Sequence, residues 1–101
     1  MSSTSRHLRD HAGALRRAAD RLTLLRLRLS NTIGDVSGSE DPTARRIGEE
    51  THERWSTREY AELGRIVTGM RSSAAQLEEI ATATERSAGR RLGGYAGAGF
   101  L

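Results

Sequence analysis

The chain has no cysteine and no lysine, a single proline and only four aromatic residues among its 101. Without cysteine, disulfides, thiolate nucleophiles and cysteine-based zinc sites are excluded together, while the redox compartment stays open. Trp55, Tyr60, Tyr95 and Phe100 are too few to anchor a large core, and the last two fall in a glycine-rich end. Aliphatic side chains must therefore carry the packing. β-branched residues are scattered, so no strand can be drawn and an all-α reading follows by elimination. Long apolar runs are absent too. The leucine-rich patch from Leu22 to Leu29 is interrupted by Arg26 and Arg28, which argues against a membrane span. Residues 2–20 hold no apolar run of signal-peptide length. Residence in the cytoplasm and export without a cleaved signal peptide both remain open.

All 16 basic residues are arginine, a bias that points to a GC-rich coding sequence more than to nucleic-acid affinity. The charge is divided along the chain. Residues 1–33 carry seven arginines against two aspartates, a net +5; residues 34–85 carry six arginines against eleven acids, a net −5. A basic first segment and an acidic second one attract each other when folded side by side. Exposed pairs contribute only about 0–1 kcal/mol each, so burial must supply the stability.

What is present is helical periodicity. Leu8, Leu15, Leu22 and Leu29 recur every seventh residue, with Ala12, Ala18, Ala19, Leu25 and Ile33 at adjoining positions, which predicts an amphipathic helix over 4–33 with a leucine seam. Gly34 is placed to end it, and residues 34–41 read as a loop. Asp41-Pro42 is a strong helix start, the carboxylate capping free N–H groups and proline losing no useful donor. A second helix over 42–88 follows, with Leu63, Ile66, Val67, Met70, Ala74, Leu77, Ile80, Ala81 and Ala88 on one face. Ile47 sits off that face, and a straight helix from 42 to 88 would span about 70 Å, so a break near 48–52 is expected. Gly89 should close this helix. Residues 1–92 then form one hairpin domain, and 93–101 a flexible Gly/Ala-rich tail.

Two antiparallel helices cover one stripe each, and these stripes are wider. A packed hairpin of fewer than about 70–80 residues derives only about 3–5 kcal/mol from its own core, whereas a single buried leucine is worth roughly 1.5–3 kcal/mol. Dimerisation into a four-helix bundle, homomeric or with another helical hairpin, resolves the mismatch, with Ala74, Ala81 and Ala88 permitting close approach. The expected partner-facing residues are Leu8, Leu15, Leu22, Leu25, Leu29, Trp55, Tyr60, Leu63, Ile66, Met70, Leu77 and Ile80. Trp55 and Tyr60 have a second reading of equal weight, in which they cover the open end of their own hairpin.

The layout of helix, short loop and helix without cysteine resembles the WXG superfamily of type VII secretion proteins, which includes the early-secreted-antigen-like proteins of mycobacteria and their actinobacterial relatives. The likeness covers residues 5–90. It is best over Asp41-Pro42-Thr43-Ala44-Arg45-Arg46-Ile47-Gly48, similar to the Asp-x-x-Gly segments of divergent members, and over Leu63 to Ser87. The resemblance implies a homo- or heterodimeric four-helix bundle acting as a secreted substrate, a co-secreted partner or a targeting chaperone, with a larger secreted toxin among the candidate partners. Two features depart from the family. No Trp-x-Gly occupies the loop, and no Tyr is followed four positions later by an acid, Tyr60 and Tyr95 being followed there by Gly64 and Gly99.

Competing chemistry is thin. His7 and His11 stand one helical turn apart, but only His52 can join them and a closed metal site needs about four ligands, so solvated histidines and no metal are expected. Arg9, Arg16, Arg17, Arg21 and Arg28 can face phosphates, and a cytoplasmic coiled-coil regulator or small DNA-associated protein is the alternative reading; intervening acids argue against it. A membrane-surface role for that face ranks lower still. Residues 94–99 have the glycines of a nucleotide loop without the strand and helix it requires. No Gly-x-Ser-x-Gly elbow or base beside a cleft is present, so neither catalysis nor a cofactor is expected. Gly64 and Gly69 each cost about 1 kcal/mol inside a helix and read as tolerant surface or as places where another backbone approaches.

Overall fold

The computed structural model describes residues 3–100, with side chains over 4–89. Helix α1 is Ser3–Ser37 and helix α2 is Pro42–Arg54; a five-residue π-helical stretch, Trp55–Glu59, leads directly into helix α3, Tyr60–Phe100. The protein is an all-α antiparallel two-helix hairpin. Its second arm runs from α2 through the π stretch into α3, and no strand occurs among the described residues. No helix among the described residues is long and apolar enough to cross a membrane.

Helix α1 runs past Gly34, which was expected to stop it. No described glycine has a positive φ, so Gly34 takes an ordinary helical conformation and the chain turns at 38–41. There the Ser37 hydroxyl donates to the Gly34 carbonyl (2.8 Å), Gly38 N–H to the same carbonyl (3.0 Å) and Ser39 N–H to Val36 O (3.1 Å). These bonds use up carbonyls that a helix end leaves open. The start of α2 is as the sequence predicts: Asp41 Oδ1 accepts from the N–H groups of Thr43 (2.9 Å) and Ala44 (3.2 Å), with Pro42 in the first turn.

The expected break at 48–52 is absent. The irregularity falls later, where Tyr60 N–H donates to Trp55 O, five residues back. Within the stretch, Ser56 Oγ donates to His52 O (2.7 Å) and Thr57 Oγ1 to Glu53 O (2.7 Å). Gly48 has another task. A Cβ there would lie 2.5 Å from Ser37 N and 2.6 Å from Val36 C, so α2 crosses the end of α1 at backbone contact. The predicted tail at 93–101 also differs, because the backbone to Phe100 belongs to α3; that stretch contains no proline to bar a helix.

The described chain divides into two compact units, one joining Met1–Arg16 to Arg71–Leu101 and the other comprising Arg17–Met70. In the first, Ser5 and Ala12 on α1 and Ala74 and Ala81 on α3 are fully buried, each pair seven residues apart. In the second, Ala19, Val67 and Trp55 are buried, together with Gly48. The innermost line is thus built of small side chains rather than leucine. Ala74 and Ala81, expected to ease the approach of a second molecule, are consumed inside the hairpin's own seam, where small residues let two helices draw close.

Candidate interaction site

The small-residue line fixes where every other side chain goes. On α1 in the first unit, Arg9 and Arg16 lie four residues after Ser5 and Ala12, on one flank of the seam, while Leu8 and Leu15 lie three residues after them, on the other. On α3, Glu78 and Glu85 stand four residues after Ala74 and Ala81, and Leu77 three after Ala74. Antiparallel packing brings like flanks together. Arg16 holds Glu78 through Nε (3.2 Å) and Nη2 (2.5 Å), and Arg9 donates from Nε to Glu85 (2.9 Å) and from Nη2 to Thr82 Oγ1 (3.2 Å). These bonds hold the Glu78 and Glu85 carboxyls below their ordinary range and raise Arg9.

The charged flank is therefore closed, and the apolar flank faces outward. In the first unit it carries half-buried Leu8, Leu15 and Leu77, then Ile80 at 53% exposure. In the second unit, Leu22, Leu29, Leu63 and Met70 are half-buried, with Leu25 at 46% and Ile66 at 51%. Ten of the residues expected to face a partner thus lie on one flank of the seam in their respective units. Leu24, Leu27 and Ile47, off this flank, are exposed to a similar degree.

Trp55 is the least exposed of that set. Only 6% of it is exposed, and its indole N–H donates to Ser30 Oγ (2.9 Å), whose own hydroxyl donates to Arg26 O (3.0 Å). Its bulk goes to covering its own hairpin, the second of the two readings. Tyr60, at 36% exposure, meets Trp55 edge-on with ring centroids 5.9 Å apart, and the Arg26 guanidinium lies over its ring. Leu27, Ser30, His52, Trp55, Ser56 and Tyr60 line an open slot of about 290 Å³.

Arg26 itself was missed by the sequence reading. It stands seven residues after Ala19, at a seam position where alanine would be expected. Gly64 makes room for it, a Cβ there coming 2.7 Å from Arg26 Nη2, so this glycine serves a side chain rather than another backbone. Gly69 has nothing within 4 Å and fits the tolerant-surface reading.

Of the arginines read as a phosphate-facing set, Arg9 and Arg16 are engaged with carboxylates, while Arg17, Arg21 and Arg28 remain exposed. His7 and His11 are exposed, and no group of three or more metal-ligating side chains gathers among the described residues. Compared with protein-family models, curated proteins and solved structures, the chain matches none.

Proposed function

We propose that this protein is a non-enzymatic helical-hairpin adaptor that pairs with a second helical hairpin, its own copy or a different chain, to complete a four-helix bundle. One observation carries the reading: in the first unit the charged flank is shut by arginine–glutamate pairs while Ile80 on the other flank is half exposed, and in the second unit Leu25 and Ile66 are half exposed on the corresponding flank. Aliphatic groups in that state gain about 25 cal/mol per Å² on burial, and helix pairs with such groups on one flank can bury them against another pair. The small innermost side chains support the same reading, because they leave the large aliphatics at the surface.

The resemblance of residues 41–87 to WXG-type hairpins supports a role for the proposed adaptor in type VII secretion, as a substrate, co-secreted partner or targeting chaperone. Lacking the Tyr-based acidic signal at both tyrosines, it suits the role of companion to a signal-bearing protein.

The test is light scattering of the purified chain, alone and with hairpin proteins captured from its native cell. A dimer or a 1:1 complex that falls apart in Leu25→Glu/Ile66→Glu and in Ile80→Glu variants is the expected result. A monomer that takes no hairpin partner defeats the proposal. Its appearance in culture filtrate, dependent on the secretion ATPase, tests the pathway separately.

A further inference from the structure

The outer side of α1 in the second unit carries a different surface. Leu25 and Leu27 lie one residue to either side of seam residue Arg26, so helical spacing turns them about 100° in opposite directions. Leu25 belongs to the proposed dimer flank and Leu27 does not. Leu24 and Leu27, three residues apart and each about half exposed, form an apolar strip that ends at the slot lined by Leu27, His52, Trp55 and Tyr60. Arg21 and Arg28 stand three residues before and four after Leu24, at its edge, and Arg17 lies one heptad before it. Two acids of α1 bound this edge: Asp35 lies one heptad after Arg28, and Asp20, which has its own interaction within the chain, lies one turn before Leu24. On the α2 side the slot offers His52 and Ser56, with exposed Glu49 one turn before His52.

We propose that this strip and slot receive an acidic amphipathic helix of another protein, with one large apolar side chain seated against Trp55 and Tyr60 and carboxylates reaching Arg21 and Arg28. Three independent features converge on that occupant. The slot, at about 290 Å³, has the size for one leucine or phenylalanine side chain with room to spare. Leu24 and Leu27 extend the contact by one turn, as helix-in-groove recognition requires. Arg17, Arg21 and Arg28 along that edge favour carboxylates, which guanidinium groups bind through two parallel N–H bonds. Glu49 on the opposite side disfavours a uniformly acidic ligand, so the carboxylates should lie on one edge of the incoming helix. This surface is separate from the leucine flank and does not depend on dimer formation.

Trp55 is the only tryptophan and lines the slot, so its emission reports occupancy directly. The probe is a synthetic helix of about 18 residues with leucines at i, i+3, i+4 and i+7 and glutamates along one edge, compared with the same peptide carrying lysine for glutamate. The glutamate peptide should change Trp55 emission saturably and bind at least about tenfold more tightly than the lysine peptide. Leu24→Ser/Leu27→Ser should lose most of that binding, and Arg21→Glu/Arg28→Glu should reverse the preference in favour of lysine. Circular dichroism of each variant confirms that the hairpin is intact, and Leu25→Glu/Ile66→Glu should bind the peptide as the parent does. Equal binding of both peptides, or no response up to about 1 mM, overturns the proposal. So does association with vesicles of phosphatidylcholine and about one-third phosphatidylglycerol in place of the peptide, which would mark a membrane face.

Discussion

The guanidinium of Arg26 lies 3.4 Å from the centroid of the Tyr60 ring while its Nε donates to the carbonyl of the same residue at 2.9 Å. One arginine thus grips both the side chain and the backbone of the first residue of α3, just after the π stretch. It occupies a seam position that Ala12 and Ala19 fill elsewhere on α1, and it fits because Gly64 has no side chain.

Arg26→Ala should cost about 2–4 kcal/mol, the sum of a partly exposed cation–π contact and a charge-assisted hydrogen bond. Gly64→Ala alone should be nearly neutral, because the roughly 1 kcal/mol of helix propensity gained is offset by pushing the guanidinium off Tyr60. In the Arg26→Ala background the same change should yield its full benefit. Urea unfolding of the four proteins at one concentration gives the coupling, and strict additivity would refute the account.

Gly48 and Gly69 separate two kinds of helical glycine. Gly48→Ala places a methyl group 2.5 Å from the backbone nitrogen of Ser37, which cannot rotate away, and should destabilise by about 1–3 kcal/mol as overpacking does. Gly69→Ala meets nothing within 4 Å and should stabilise by about 0.5–1 kcal/mol. Thermal unfolding of both variants checks the pair, and changes of the same sign would contradict the geometry.

The contrast shows where the sequence was readable. Seven-residue spacing exposed both helices, and Asp41-Pro42 located the start of α2, because periodicity and capping act over one or two turns. Spacing also picked out the leucines, yet it made them the seam, since a hydrophobicity pattern weights leucine above alanine. Which of two neighbouring heptad lines turns inward depends on the facing helix, and here the Arg9–Glu85 and Arg16–Glu78 pairs record that choice. Gly48 looked like a bend because its purpose lies across the turn, at Val36 and Ser37. The π stretch had no forecast either, because the hydroxyl-to-carbonyl bonds of Ser56 and Thr57 also occur at Thr51 and Thr84, inside regular helix. The aromatic cluster was half legible, Trp55 carrying two readings that only Ser30, twenty-five residues away, could separate.

Ser30→Ala removes the acceptor of the Trp55 indole N–H. With Trp55 buried, the stranded donor should cost about 1–3 kcal/mol. Trp55 emission should shift, since the ring will move to find water, and Ser30→Thr should restore both stability and spectrum by returning a hydroxyl. A Ser30→Ala protein identical to the parent in both measurements would mean that the bond contributes nothing.

Acid should weaken the hairpin through its charged flank. Glu78 and Glu85 are held below the ordinary carboxyl value of 4.5 by hydrogen bonds from Arg16 and Arg9. A group whose folded pKa is depressed contributes stability that is fully present above its unfolded value and is lost as pH falls through the folded one. The loss should therefore begin near pH 4.5 and continue below it, with no change between neutrality and that point from these two residues. Glu78→Gln/Glu85→Gln should lower neutral stability by about what it removes from the acid limb of a stability–pH profile, a small amount because both pairs are solvent-exposed. Added salt should lower the parent towards the variant by screening the same pairs. An acid limb that stays equally steep in the double variant would place the titrating groups elsewhere, on the carboxylates of α2 or the turn, and would remove the arginine–glutamate pairs as the reason why one flank of the seam is closed and the other is left for a partner.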